Sequence, residues 1–242
     1  MKNFKSRIRC LPVIGLALLP LGAAAADIDA LQTLTQAEFR LLSEDLGAAL
    51  SFKPLLPAEA MGITGFDIGI AVTGTQLKNE GLLERASSGD SVSVLPVPTL
   101  RAHKGLPFNI DIGAMYGAVP DSNVRLYGGE LRWAPLPGST VVPAVAIRAS
   151  FTRLTGVDQL KLQTTGLDVS ISKGFANLTP YGGIGQVWVK STPQNVPLLV
   201  EEDFTQTKVF AGLNINLGVN ILFEVDNTGG ITSGGVKVGF RF

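Results

Sequence analysis

The chain ends with Gly-Gly-Val-Lys-Val-Gly-Phe-Arg-Phe, residues 234–242. Successive side chains of an extended strand point to opposite faces. One face of this stretch is apolar and consists of Val236, Val238, Phe240 and Phe242. The other face carries Lys237, Gly239 and Arg241. The pattern predicts a strand that separates an apolar medium from water, although half-buried strands of soluble sandwiches alternate in the same way.

The other end of the chain is typical of an export signal. A basic stretch precedes an apolar run over residues 11–21, and its charges are Lys2, Lys5, Arg7 and Arg9. Small residues at 24–26 predict cleavage near Ala26, before Asp27. The apolar run is too short for a helix that spans a membrane. Cys10 lies within the signal, so the predicted mature chain has no cysteine.

The alternating terminal strand, its final aromatic residue and the export signal together resemble bacterial outer-membrane β-barrels. The resemblance covers the signal and about residues 60–242, but its features are generic and identify no particular member. It implies outer-membrane lipid as the surroundings, in the envelope of a Gram-negative bacterium. It also implies that the barrel-assembly machinery recognises the C-terminal strand through Phe240 and Phe242.

Composition agrees with an exported β-protein. Without the four basic residues of the signal, 16 Lys and Arg face 20 Asp and Glu, a net charge of −4 that predicts no nucleic-acid partner. The chain contains 28 glycines, and its mean hydropathy is +0.30. In lipid every backbone polar group must be paired internally, which strands achieve only in a closed sheet. The predicted fold is an all-β, closed antiparallel up-and-down transmembrane β-barrel.

Ten segments alternate well enough to be strands, and an even number is what bacterial single-chain barrels have. They span residues 61–73, 91–104, 108–117, 124–134, 141–153, 162–174, 179–190, 205–216, 217–227 and 234–242. With the C-terminus in the periplasm, the two longest connections, 74–90 and 191–204, fall outside the cell. The other connections are short and rich in Pro and Gly, as periplasmic turns are.

Residues 27–59 differ in character from the barrel at 60–242. Thr35 and Glu38 form a capping-box pattern, and Phe39, Leu42 and Leu46 recur at helical spacing. We predict one amphipathic helix in a periplasmic or mouth-capping segment. A plug inside the lumen is the alternative, but a ten-strand barrel is only a little wider than one that side chains fill.

Charged side chains fall on the inward faces of most predicted strands. The acids are Asp67, Asp111, Glu130, Asp168 and Glu224, and the bases are Arg132, Arg148, Lys208, Lys237 and Arg241. The set is nearly balanced, whereas a wide ion channel favours one sign. Paired charges satisfy one another in a confined site. The pattern predicts a narrow polar lumen with a structural or narrow-pore, porin-like role.

A second inward cluster is apolar. Its members are Met115, Leu160, Leu162, Trp188, Phe210 and Leu222. They predict either a small pocket that binds or passes a hydrophobic small molecule or residues that fill the taper of the barrel. A register error of one residue would reverse every side chain.

Enzymatic chemistry has little support in the sequence. A hydrolase triad needs a histidine base, and the only histidine, His103, is predicted at a periplasmic turn. We therefore predict no catalytic residue, and the absence of mature cysteine leaves no transition-metal cluster or cofactor motif. A lipid-modifying barrel enzyme remains the third hypothesis, after the structural or narrow-pore barrel and the hydrophobic-ligand barrel.

Overall fold

The computed structural model describes residues 27–87, 93–139 and 141–242. The predicted export signal, residues 1–26, lies outside the described residues. Ten antiparallel strands form a closed barrel in which each strand pairs with its neighbours in sequence and β1 pairs with β10. The strands are β1 Phe66–Gln76, β2 Val94–Leu106, β3 Ile110–Ala118, β4 Arg125–Leu136, β5 Ala144–Thr155, β6 Leu160–Ser172, β7 Leu178–Pro193, β8 Glu202–Asn216, β9 Asn220–Thr228 and β10 Ile231–Arg241. The predicted fold class is confirmed.

The C-terminal stretch closes the barrel. Ile70 of β1 pairs with Val238 of β10. At the chain end, Phe66 and Phe242 each donate a backbone N–H to the other's carbonyl, at 3.0 and 2.9 Å. The sheet therefore has no free edge along this seam.

Connection length distinguishes the two ends of the barrel. The longest connection, residues 77–93, and the 194–201 connection lie opposite the end that holds Phe242. Longer loops face the cell exterior in this class, so we call that end extracellular and the Phe242 end periplasmic. The 77–93 connection contains a helix that the sequence analysis missed, α2 Glu80–Ser87.

The outward face is apolar across the middle of the barrel. β6 alternates strictly between buried and exposed residues, and its outward side chains include Leu167, Val169 and Ile171. Aromatic side chains project outward near the strand ends: Tyr116, Tyr127, Phe151 and Trp188 toward the extracellular end, and Trp133 and Phe240 toward the periplasmic end. Such girdles mark the two membrane interfaces. None of the described helices is long and apolar enough to cross a membrane.

The N-terminal helix lies inside the barrel. α1 Gln36–Leu50 begins with the predicted capping box of Thr35 and Glu38. Its apolar side chains Phe39, Leu42 and Leu46 are at most 1% exposed, and the helix contacts strands on several sides of the lumen. The predicted mouth-capping position is wrong, because the inner wall of the extracellular half is apolar and packs against the apolar face of the helix.

The segment around α1 crosses the barrel from end to end. A short 3₁₀ turn, Leu31–Thr33, precedes the helix, and the backbone N–H of Leu31 bonds the side chain of Gln159 in an extracellular loop. After α1 the chain descends without regular structure until Met61 donates its backbone N–H to Asp111 near the periplasmic end. Residues 27–61, which we call the plug, therefore run from the extracellular end to the periplasmic end.

Candidate functional site

Ion pairs between neighbouring strands line the lumen. Arg148 and Asp168 stand directly opposite each other on β5 and β6, and Nη2 of the arginine lies 2.5 Å from Oδ1 of the aspartate. Arg148 also contacts Glu130 of β4 at 3.4 Å, and Lys208 of β8 lies 3.8 Å from Asp168. Alternation puts these side chains inside the barrel, and the register brings opposite charges together.

Two further pairs extend the series around the barrel. Arg132 and Asp111 are cross-strand partners on β4 and β3, with Nη2 and Oδ2 2.6 Å apart. Lys237 of β10 lies 2.7 Å from Asp67 of β1. The other two predicted lumen residues, Glu224 and Arg241, also lie inside the barrel. The side chain of Glu224 accepts hydrogen bonds from Tyr181 and from the Leu55 backbone, and the half-buried Arg241 bonds the Glu59 carbonyl at 3.3 Å.

Several of these cations also hold the backbone of the plug. Lys208 donates to the Phe52 carbonyl at 2.7 Å, and Arg132 donates to the Pro57 carbonyl at 2.5 Å. Arg101, which the sequence analysis did not include, donates to the Lys53 carbonyl at 2.7 Å. Residues 52–59 form no helix or strand, so their buried carbonyls need such partners. The inner wall supplies them.

Lys53 is a buried lumen charge that the sequence analysis missed. It is 3% exposed, and its Nζ lies 2.9 Å from Asp226 Oδ1 of β9. The ammonium also donates to the Ala48 carbonyl at 2.9 Å and to Ser233 Oγ at 3.1 Å. All three donor positions of this charge are therefore used inside the barrel. The signal in the sequence was a lysine within the apolar run 46–56. It indicates a buried charge only once this segment is known to lie in the lumen.

His103 is not at a turn, as the sequence analysis predicted, but within β2 and buried in the lumen. Its Nδ1 lies 3.5 Å from Asp67 Oδ1, and its Nε2 lies 3.6 Å from Glu130 Oε1. Neither nitrogen has a hydrogen-bond partner among the described residues. A hydrolase triad requires a nucleophile bonded to the imidazole, and the described surroundings of His103 supply none.

The predicted apolar pocket is filled by the plug. Met115, Leu160 and Leu162 face inward and belong to one core with Phe39 and Leu42 of α1. Deeper in the barrel, Phe210 and Leu222 pack with Leu55 of the plug. Trp188 faces outward and is 43% exposed, so its predicted inward position is wrong. The open pocket was therefore a wrong prediction.

The lumen holds a small cavity, and the extracellular rim holds a larger recess. A cavity of about 10 Å³ lies beside Lys53, Arg101 and Met115, and a volume of this size holds at most one water molecule. A recess of about 380 Å³ opens at the extracellular rim beside Glu44, Gln206 and the 227–230 turn. No cluster of potential metal ligands occurs within residues 27–87, 93–139 and 141–242.

These features define a class of protein. A closed antiparallel barrel with an apolar outer belt, aromatic girdles and a polar interior is the architecture of transmembrane outer-membrane barrels. The chain is a barrel of the Gram-negative outer membrane.

Solved structures with a similar fold are bacterial outer-membrane barrels. The N-terminal barrel domain of Pseudomonas aeruginosa OprF is 17% identical, with a TM-score of 0.38, over 75% of this chain and 99% of that one. The KdgM porin in complex with oligogalacturonate is 9% identical, with a TM-score of 0.39, over 73% and 99%. The translocator domain of Neisseria meningitidis NalP is 12% identical, with a TM-score of 0.37, over 81% and 92%. No protein-family model matches the chain, and no curated protein matches it in sequence.

Proposed function

We propose that the protein is a structural outer-membrane barrel whose lumen is closed at rest by its own plug. The observation that carries this proposal is the position of residues 27–61 inside the barrel, where their apolar side chains pack against the inner wall. A porin needs a continuous water path. The balanced lumen charges support a structural role, because they bind one another and the plug backbone.

The energy of displacing the plug decides between a closed barrel and a spontaneously opening pore. Between residues 36 and 55 of the plug, six large apolar side chains are at most 2% exposed, and they are Phe39, Leu42, Leu46, Leu50, Phe52 and Leu55. Exposing each one to water costs about 1.5–3 kcal/mol, or about 9–18 kcal/mol together. Since about 1.4 kcal/mol corresponds to a factor of ten, even the lower figure leaves fewer than about one molecule in a million open.

Planar-bilayer recording tests the proposal directly. The chain from Asp27 onward should insert without producing conductance steps. Ser43 Oγ and Ser191 Oγ are 2.8 Å apart, joining α1 to β7, so Ser43→Cys with Ser191→Cys should form a disulfide that locks the plug. This pair is free of competing thiols, because the only native cysteine is Cys10. Steps in the reduced variant that vanish on oxidation would show a plug-gated pore and overturn the structural role.

The other two predicted functions have less support. The hydrophobic-ligand hypothesis loses the open pocket on which it depended, because Leu160 and Leu162 pack against the plug. For a lipid-modifying enzyme the only histidine base is His103, which is buried. We propose that the protein is not an enzyme, so His103→Asn should leave the lipid profile of the envelope unchanged. A lost or altered acyl group would contradict this.

Recognition by the barrel-assembly machinery is also part of the proposal. Phe240 and Phe242 project outward at the periplasmic end, and Phe242 is 77% exposed. Its side chain is therefore available although its backbone is paired with Phe66. Deleting Phe242 should lower the fraction of heat-modifiable barrel in cells while leaving refolding in detergent largely intact. Equal assembly of both chains in cells would contradict recognition of this residue.

A further inference from the structure

Basic side chains on the outer wall form a patch on one side of the barrel. Arg125, Arg153, Lys161 and Lys190 are exposed at the extracellular ends of β4, β5, β6 and β7. These four strands are neighbours in the sheet. The outward positions at the same end of β8, β9 and β10 are Asp203, Thr205, Asn227 and Thr232. Within the described strands, the outward basic residues at the extracellular end are therefore confined to this patch, which we call the basic patch.

The register places the members of the basic patch beside one another. Arg153 stands opposite Tyr127 on β4 and opposite Gln163 on β6. Arg125 and Lys161 are each two residues further along those strands, and such diagonal neighbours are about 7–8 Å apart. Three cations thus share one small area of the outer wall.

No described acid forms an ion pair with the cations at the centre of the patch. Arg153 and Lys161 make no hydrogen bond or ion pair with any residue that the structure describes, and Arg125 reaches only the Tyr116 hydroxyl, at 3.5 Å. Lys190 differs, because Glu201 lies 2.7 Å from it. Neighbouring like charges repel one another. A bound anion would remove this repulsion.

The depth of the patch identifies the anion's source. Tyr127 lies directly across from Arg153, and Phe151 and Trp188 are the next outward residues toward the membrane centre. Aromatic girdles lie at the membrane interface, so cations just beyond them lie at the level of the outer-leaflet headgroups. They project from the wall toward the lipid and not from an extracellular loop. We propose that the basic patch binds phosphate groups of outer-leaflet lipid headgroups, with Arg153 and Lys161 as the principal contacts.

Binding of lipid A in detergent micelles tests the proposal. Trp188 provides the signal in a Trp133→Phe background, which leaves one tryptophan beside the patch. The probes are lipid A with both phosphates and the same lipid after enzymatic dephosphorylation. A cation near an anionic lipid surface contributes about fivefold in affinity, so Arg153→Gln with Lys161→Gln should weaken binding of the phosphorylated lipid about 25-fold.

Two variants serve as controls. Lys78→Gln removes a cation at the same end but on the other side of the barrel, where Lys78 bonds the Gly229 carbonyl, and it should bind as the parent does. Arg153→Lys with Lys161→Arg keeps both charges and should bind within about twofold of the parent. A mobility shift between boiled and unboiled samples verifies that each variant is a closed barrel.

Three results would overturn the proposal. The first is equal binding of dephosphorylated and phosphorylated lipid A. The second is unchanged binding by the heat-modifiable Arg153→Gln, Lys161→Gln variant. The third is binding of inorganic polyphosphate in lipid-free micelles as tightly as lipid A, because that would identify a site for soluble polyanions. None of these results bears on conductance, so the proposed closed lumen is tested separately.

Discussion

Replacing Lys53 by methionine should destabilise the barrel strongly. Methionine keeps the length of the side chain but removes the charge that pairs with Asp226, at a position where both side chains are at most 4% exposed. Among the residues that the structure describes, Asp226 would keep only the hydroxyl of Thr228 as a side-chain donor. Breaking a buried pair by removing one partner costs about 3–5 kcal/mol. We expect Lys53→Met to lower the free energy of unfolding by that amount.

Urea unfolding in detergent, followed by the loss of the heat-modifiable band and by tryptophan fluorescence, measures this change. A second substitution separates charge from packing. Adding Asp226→Leu to Lys53→Met removes both charges, and replacing a whole buried pair by apolar side chains is often neutral. The double variant should therefore recover most of the lost stability.

An exposed pair provides the matched control. Lys190 and Glu201 are 2.7 Å apart, but their side chains are 52% and 41% exposed. Pairs of this kind contribute about 0–1 kcal/mol, so Lys190→Met should have little effect. A loss below about 1 kcal/mol for Lys53→Met would refute the reasoning. It would mean that the Lys53–Asp226 pair is hydrated and that the plug does not seal the lumen.

Three further predictions follow from single contacts. Gly113→Ala should cost about 1–3 kcal/mol in urea unfolding, because an added Cβ would clash with the His103 ring. Unchanged stability would contradict the tight packing there. The hydrogen bond from Arg85 lowers the pKa of Glu38 from 4.5 to about 2, so the stabilising contribution of Glu38 is complete above pH 4.5 and is lost as the pH falls toward 2. In Glu38→Gln the urea midpoint should lose the part of its fall between pH 4.5 and pH 2 that is due to Glu38. Identical pH profiles for this variant and the parent would argue against the hydrogen bond between Arg85 and Glu38. Asp29→Cys should react with a membrane-impermeant maleimide on intact cells as fully as after permeabilisation, whereas labelling only after permeabilisation would contradict an extracellular N-terminal segment.

The strands were predictable because their signal is local. Alternation with a period of two residues follows from backbone geometry, and it identified all ten strands and the inward side chains of the ion-pair series. In β7 one side chain, that of Trp188, was assigned to the wrong face. Val187, Trp188 and Val189 are all apolar, so alternation gives no preferred face there. The structure turns both valines inward and the tryptophan outward.

The position of the plug could not be predicted from local patterns. The sequence showed that α1 has an apolar face and that Leu160 and Leu162 form an apolar part of the inner wall, but not that these surfaces cover each other. An apolar inner wall can line a ligand pocket, can fill the lumen with its own side chains, or can pack against another segment of the chain. His103 was misplaced because the predicted second strand ended at residue 104, whereas β2 continues to Leu106.

The path of the chain also constrains how the barrel closes. The plug joins β1 at the periplasmic end, whereas the residues before α1 lie at the extracellular end, where the Ile28 N–H bonds Asn123. If β1 paired with β10 first, α1 would have to pass through a lumen lined by charged side chains. We therefore expect α1 to be in place before or while the barrel closes, so that its apolar face nucleates the inner wall as a core does in a soluble protein. Refolding the Ser43→Cys, Ser191→Cys variant with a pulse of oxidant at successive times measures this order. The crosslink should form no later than the heat-modifiable band, and a closed barrel that lacks the crosslink at early times would show that the plug enters last.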